Sequence, residues 1–289
     1  MIYKIKYNTI MNKNDITVII TSFKSDDNIY NCLDSINAKY KVIVIENSNR
    51  VSFKQRLEKE YSNVKCFLAG ENLGYAKGNN LGLSKVKTSY ALILNPDTIM
   101  HKNAIKNFFS TVKKISNFAI IAPAIQDKKI KNNTKKLIEV NSVKGFAMFL
   151  KLSEFKDIGF FDSNFFIYLE EIDLCKRLKK RNKKIFLDPN IIINHQGGSS
   201  HDKKFNFDME LSRNWHWMWS SFYYTKKNKG FFFALFLNLK KFISSILKYF
   251  FYLFAGNNLK KLIYKHRVSG LFNAMIGNSS WYRPFKTKN

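Results

Sequence analysis

Acidic residues are scarce in this chain: 21 Asp and Glu stand against 49 Lys and Arg, a formal charge of +28 over 289 residues. In a sequence this rich in Phe and Tyr the excess must sit on the surface, where it draws in anions; nucleic acid, an anionic membrane face and phosphate-bearing substrates all fit. Lys, Asn, Ile and Phe are abundant along the whole length, as in proteins from AT-rich genomes, so the charge alone is weak evidence for nucleic acid. Cysteine is sparse too. Cys32, Cys66 and Cys175 are far apart, odd in number and free of any C-x-x-C pair, so they read as buried thiols in a reducing compartment rather than a zinc or redox site. The stretch Met1–Asn14 lacks the unbroken apolar core of a signal peptide, which gives a cytosolic default. Long apolar runs are missing as well: Gly230–Leu239 is apolar, but Lys240 and Lys241 stop it short of the ~20 residues a bilayer crossing needs.

What is present is rhythm. From Asp15 to about Pro123, short apolar runs alternate with helical patterns, the signal for βαβ units and a mostly parallel sheet. Strands are expected at Ile16–Ile20, Val42–Ile45, Val64–Leu68, Tyr90–Leu94 and Ala119–Ala122. Helices are expected at Asp27–Asn37, Phe53–Tyr61, Ala76–Lys85 and Asn103–Ile115, the first capped by Ser25 or Asp26. The stretch Gln126–Glu139 is Lys/Asn-rich and reads as a loop. Beyond it come a strand at Val143–Leu150, a helix at Leu174–Lys180, and short strands at Ile185–Leu187 and Ile191–Ile193 around the turn Asp188-Pro189-Asn190. After about His201 the composition turns aromatic and basic. There Phe232, Leu235, Phe236, Leu239, Phe242, Ile243, Ile246, Leu247 and Phe250 share one helical face, and Lys240, Lys241, Ser244, Ser245 and Lys248 share the other. That pattern suits a helix lying at a membrane interface, or one packed on the preceding domain.

In open α/β sheets the ligand sits beyond the carboxyl ends of the strands. Four polar sets stand there: Thr21-Ser22, Glu46-Asn47-Ser48, Gly70-Glu71-Asn72 and Asn95-Pro96-Asp97. Asp97 is placed to hold Mg²⁺ or Mn²⁺ on a diphosphate, or else the segment is a turn with a helix cap. The segment Gly74-Tyr75-Ala76-Lys77-Gly78-Asn79-Asn80 opens a helix with glycines and amides, suited to phosphates or sugar hydroxyls, yet it matches neither a P-loop nor a G-x-G-x-x-G fingerprint. Glu170, Glu171 and Asp173 follow an aromatic run at a helix start. They either favour the helix dipole or include a carboxylate whose raised pKa makes it a general base. His195 leads into Gln196-Gly197-Gly198-Ser199-Ser200 as a structural histidine or a metal ligand.

Taken together and in this order, these segments resemble the inverting GT-A glycosyltransferases of family 2, and within it the bacterial rhamnosyltransferase-like branch. The matching pieces are Ile19–Phe23, Glu71–Asn80, Asn95–Asp97, Lys144–Met148, Phe166–Leu174 and His195–Ser199. The resemblance implies an α/β, GT-A (Rossmann-like) mostly parallel sheet flanked by helices, with a C-terminal helical, amphipathic extension. It implies that Asp97 and His195 bind a divalent metal, Mg²⁺ or Mn²⁺. Thr21, Glu46, Asn72, Lys77, Asn80 and Asn95 would bind the nucleotide donor, Glu171 would be the catalytic base, and Glu170 and Asp173 would support the site or bind acceptor. Two departures stand out: position 46 is Glu where Asp is usual, and the usual Glu-Asp pair is Glu170-Glu171. Neither removes a required group.

The expected organisation is an extension over 1–14, a catalytic domain over 15–205 and a helical region over 206–289. The expected activity is transfer of a sugar, rhamnose from dTDP-rhamnose favoured, to a glycan or polyprenyl-linked acceptor in surface polysaccharide assembly. UDP-hexose or UDP-galactofuranose is the alternative donor. The expected location is cytoplasmic, peripheral on the inner face of the membrane. A non-catalytic sugar-binding protein is a competing reading. So is a nucleic-acid binder that stacks bases on Trp215, Trp217 and Trp219, although nucleic acid is not the expected partner.

Overall fold

The computed structural model describes residues 15–124, 136–197 and 201–285. The N-terminal extension, most of the Gln126–Glu139 loop and Gly198-Ser199-Ser200 lie outside the described residues. Among those described, the strands are β1 (Ile16–Ser22), β2 (Lys41–Glu46), β3 (Val64–Leu68), β4 (Tyr90–Leu94), β5 (Thr98–Met100), β6 (Ile120–Pro123), β7 (Ile138–Glu139), β8 (Ala147–Lys151), β9 (Ile185–Asp188) and β10 (Ile193–His195). The helices are α1 (Asp26–Asp34), α2 (Val51–Glu60), α3 (Gly74–Leu83), α4 (Ala104–Lys114), α5 (Glu170–Lys180), α6 (Asn206–Lys229), α7 (Phe231–Phe254) and α8 (Asn258–Met275).

Eight strands form one sheet in the order β3-β2-β1-β4-β8-β6-β9-β7. Strands β1 to β4 run parallel, as the βαβ rhythm requires, and β1 is a near-unbroken apolar run because helices cover both its faces. Strand β8 inserts antiparallel between β4 and β6, a reversal that periodicity alone does not encode. Helix α3 lies close on β1: a Cβ on Gly82 would stand 2.5 Å from Ile19 Cγ2, and one on Gly78 2.6 Å from Thr21 Cγ2. Its glycines therefore serve helix-to-sheet packing. Buried side chains fill both faces of the sheet, with Val18, Val44 and Phe149 on one and Ile19, Ile93 and Met148 on the other.

Several sequence expectations shift. The loop reading of Ile138–Glu139 gives way to β7, which pairs antiparallel with β9. Strand Val143–Leu150 becomes Ala147–Lys151, and Ile191–Ile193 becomes Ile193–His195. That last strand leaves the main sheet to pair with β5, a three-residue strand too short for an alternation signal. Ser25 does precede α1, but its hydroxyl donates to the Phe23 carbonyl instead of capping the helix.

The aromatic stretch of α6 is largely interior. Trp215, Met218, Trp219 and Phe222 pack with Ala234 of α7 and with Leu271 and Ala274 of α8 in a third core. Only Trp217 of the three tryptophans between 215 and 219 is exposed, so they form no open stacking platform. Helix α7 turns its small and polar residues Ala234, Asn238 and Ser245 inward; of its apolar stripe, Leu235 and Phe242 pack against this third core, while Phe232, Phe236, Leu239, Ile243, Leu247 and Phe250 are exposed. Among the described residues, the exposed part of that stripe is not packed on the preceding domain, one of the two sequence readings.

Candidate active site

After β4 the chain makes a tight turn: the Asn95 carbonyl accepts from the Thr98 amide at 3.2 Å and from its hydroxyl at 2.7 Å. The turn reading and the ligand reading of Asn95-Pro96-Asp97 are thus compatible, because the turn aims the Asp97 side chain. Asp97 is buried, yet neither carboxylate oxygen receives a hydrogen bond. A buried, unbonded carboxylate is costly unless something else satisfies it. Strand β10 runs past the same turn, with His195 paired opposite Thr98 and the Gln196 amide donating to the Asp97 carbonyl. The His195 Nε2 stands 3.4 Å from Asp97 Oδ1, and its ring stacks on Phe146 at 4.7 Å. Among the described residues no cluster of three or more ligating side chains exists, so Asp97 and His195 stand as a pair.

Asn95, Glu170, Glu171 and His195 line one cavity of about 920 Å³. Lys144 and Phe146 contribute from the approach to β8, Tyr75 from α3, and Arg213 and Trp217 from α6. The sequence boundary at 205/206 therefore runs through the site.

The acidic segment is held from several sides. The Tyr75 amide donates to the Phe166 carbonyl at 2.7 Å, Ser220 Oγ donates to the Ile167 carbonyl at 2.9 Å, and Phe166 stacks on His216 at 4.3 Å. Tyr168 and Leu169 then adopt left-handed φ angles of 75° and 70°. Such conformations cost non-glycine residues about 1–3 kcal/mol each and persist where surrounding contacts enforce them. The kink brings the first turn of α5 to the cavity. Burial there raises the Glu170 carboxyl well above the ordinary carboxylate range, and the neighbouring Glu171 charge adds to it. Glu171 is raised chiefly by burial, while backbone N–H groups at the helix start and Lys144 pull the other way. A carboxylate with a raised pKa beside an open cavity is equipped to accept a proton from a bound substrate.

Asp173 faces elsewhere. It pairs with Arg177 at 2.8 Å and Lys227 at 2.8 Å, tying α5 to α6, and it does not line the cavity. Thr21, Glu46, Asn72, Lys77 and Asn80 also lie outside the cavity lining. Thr21 donates to Asn79 Oδ1 at 3.1 Å, and the Asn72 carboxamide oxygen accepts from the Gly74 amide. Lys77 is exposed on α3. Asn80 clamps Phe161 through both its carbonyl and its amide. Glu46 is fully buried and accepts from the Arg50 amide at 2.8 Å, with the Arg50 guanidinium 3.5 Å away.

Two groups at these strand ends, and a third far from them in sequence, received no individual role from the sequence. Ser22 Oγ and Asn47 Oδ1 are buried without a hydrogen-bond partner. Their position after apolar strands was visible; their lack of partners was not. Arg283 was missed outright. Its Nε donates to the Asn72 carbonyl at 3.1 Å, and its guanidinium lies 4.0 Å over Phe166, bridging two of the motif segments. The three cysteines are buried, as expected, and burial pushes each thiol up to about 12.

With this geometry in place, comparisons with known proteins agree on kind. The profile of glycosyl transferase family 2 matches residues 17–175. The low-salt glycan biosynthesis hexosyltransferase Agl10 of Haloferax volcanii is 26% identical over 198 residues, covering 59% of this chain and 64% of that protein. The chain thus spans just under two thirds of this relative's length. The rhamnosyltransferase WbbL of Escherichia coli K12 is 26% identical over 252 residues, covering 73% and 93%. Among solved structures, the mannosyltransferase PcManGT from Pyrobaculum calidifontis, in complex with GDP-Man and Mn²⁺, matches with a TM-score of 0.56 at 11% identity over 90% of this chain and 87% of that one. The 1–349 fragment of S. aureus TarS matches with a TM-score of 0.51 at 13% identity, covering 93% of each chain. These likenesses carry the GT-A-like fold of a mostly parallel sheet with a C-terminal helical region. The chain belongs to glycosyl transferase family 2.

Proposed function

We propose that this family 2 member is an inverting, metal-assisted glycosyltransferase of surface polysaccharide biosynthesis. It moves a sugar from a nucleotide-sugar donor to a glycan or polyprenyl-linked acceptor. Rhamnose from dTDP-rhamnose is the favoured donor, supported by the likeness to WbbL; a UDP-hexose or UDP-galactofuranose is the alternative. The observation that carries the reading is Asp97, a buried carboxylate with both oxygens unbonded, which lies outside the cavity lining but 3.4 Å from His195, a residue that lines the same cavity as Glu171.

The residues fit a divalent cation. Asp97 and His195 would hold it, and a hard ion of the Mg²⁺ or Mn²⁺ kind completes its shell with substrate phosphates and water. When bound, the cation neutralises charge on the departing diphosphate. Glu171 takes the proton from the acceptor hydroxyl as that oxygen attacks the anomeric carbon; the bond to the diphosphate oxygen breaks in the same displacement. Burial and the neighbouring Glu171 charge disfavour the ionised form of Glu170, and Glu171 is the carboxylate that exchanges protons with the acceptor. Ser22, Asn47, Thr21 and Glu46 lie where the nucleoside binds in such sheets, and Lys77 supplies charge near the phosphates. The region 15–205 handles the donor and carries the base, the region 206–289 adds Arg213 and Trp217 to the same cavity and meets the membrane, and the protein is peripheral on the cytoplasmic membrane face.

A thermal-shift screen of nucleotide sugars with Mn²⁺ or Mg²⁺ tests this directly. Stabilisation that requires the metal, and that Asp97→Ala abolishes, is the expected result. Metal-independent stabilisation that survives Asp97→Ala overturns the metal assignment.

A further inference from the structure

Among the described residues, the outward face of α7 has no partner. Asn238 and Ser245, buried on the inner side, donate to carbonyls of their own helix at 2.9 Å and 2.7 Å, so the polar groups turned inward are satisfied locally. On the opposite side Phe232, Phe236, Leu247 and Phe254 are 83%, 76%, 64% and 85% exposed. Along a helix, Phe232 to Phe254 makes a ridge about 33 Å long. Monomeric proteins seldom keep so large an apolar stripe in water, and such stripes mark interaction surfaces.

The surrounding charge identifies the occupant. From Leu211 onward the sequence holds 14 Lys and Arg and no Asp or Glu. Lys229, Lys248 and Lys260 border the ridge, their ammonium groups 4.6 Å, 5.4 Å and 5.1 Å from the ring centres of Phe233, Tyr264 and Tyr252. A second copy meeting this face would bring the same cations and no carboxylate from this region, which sets like charge against like. An anionic bilayer supplies what the face is built for: an apolar layer beneath negative headgroups. No helix among the described residues is long and apolar enough to cross a membrane, so the ridge engages the surface in its plane.

We infer that α7 docks the protein flat on an anionic bilayer, with Phe232, Phe236, Leu247 and Phe254 entering the acyl boundary and Lys229, Lys248 and Lys260 at the headgroups. This deepens the membrane-face location proposed above, and it stands apart from the catalytic assignment. Helix α6 joins the two, because it packs on α7 and also carries Arg213 and Trp217 into the cavity. A docked ridge therefore holds the acceptor side of the cavity near lipid.

The test is flotation of the full chain with vesicles of phosphatidylcholine alone and with about 30% phosphatidylglycerol. Wild type is expected to bind the anionic vesicles at least about tenfold more tightly than the neutral ones. The variant F232S/F236S/L247S/F254S, altered only at exposed positions, is expected to lose about tenfold or more. The variant K229E/K248E/K260E is expected to lose the preference for anionic lipid while retaining weak binding to both vesicles. Equal binding by wild type and the serine variant overturns the inference. So does absence of wild-type binding, or self-association of wild type that the serine variant abolishes. Titration of both proteins with dTDP, UDP and GDP plus Mn²⁺ separates the two proposals: no nucleotide binding by either sinks the transferase reading and leaves docking to the vesicle data.

Discussion

The sheet and the three C-terminal helices leave opposite kinds of atoms without partners. At the sheet's strand ends and at α5, the unpartnered atoms are buried and polar: Ser22 Oγ, Asn47 Oδ1, both Asp97 oxygens and Glu170 Oε2. In the helices, buried polar groups are mostly satisfied. Trp215 donates to Ser269, Trp219 to the Asn278 carbonyl, and both His216 nitrogens have partners; Arg267 Nε is an exception. There the unpartnered atoms are exposed and apolar, along α7. Folding removes such costs wherever nothing opposes it, so each residue of unmet chemistry describes what is missing from the isolated chain. On the readings proposed above, the sheet offers its groups to a polar, charged ligand and the helices offer theirs to an apolar surface.

Substitutions can break this contrast, and the largest effect belongs to the sheet side. Glu171→Gln should lower sugar transfer by about 10²–10⁴-fold with nucleotide binding retained in calorimetric titration. Turnover close to wild type would move the base to another residue. Next, Asp97→Ala should weaken Mn²⁺-dependent nucleotide binding by roughly 100-fold without lowering the melting temperature, because the variant deletes an unsatisfied buried carboxylate. A large drop in melting temperature would mean that Asp97 is a structural residue.

Arg283→Ala attacks the seam between the regions. Loss of its bonds to the Asn72, Ser280 and Tyr282 carbonyls should cost about 2 kcal/mol, a fall in Tm of about 4–8 °C for a chain of this size. An unchanged melting curve would show that the two regions hold together without it. The smallest effect is a pH slope from Glu170. Its folded pKa is raised, so below the ordinary value of 4.5 the folded and unfolded states both hold the proton and the stability contribution is complete. As pH climbs from 4.5 through the raised folded value, that contribution is lost. Denaturant titrations between pH 5 and pH 8 should therefore show declining stability in wild type and a shallower decline in Glu170→Gln; parallel slopes would remove Glu170 as the cause.

Much of this was legible in the sequence. The parallel strands fell where apolar runs ended in polar pairs, because strands buried on both faces leave a continuous hydrophobic signature. The acidic motif, Asp97 and His195 were likewise visible as residue types at strand and helix ends. The insertion of β8 against the parallel direction was not, since strand direction leaves no trace in periodicity. Nor was the partnering of Asn80 with Phe161 or Asp173 with Lys227, which depends on contacts dozens of residues away. The amphipathic stripe of α7 is legible in the sequence as a stripe. Its outward orientation was beyond the sequence, because apolar periodicity does not say whether the partner belongs to the chain.

The bond from Arg283 to the Asn72 carbonyl joins residues 211 positions apart. On a ribosome adding about 5–20 residues per second, the loop around Asn72 waits about 10–40 s for that contact after it is made. Until Arg283 is made, Phe166 lacks its guanidinium cover, and α6 has no α8 to pack against until residue 258 onward has been added. The nascent chain can assemble its sheet early, but its cavity takes final form only once Arg283 has been made, by which time the basic, apolar ridge of α7 has been made as well.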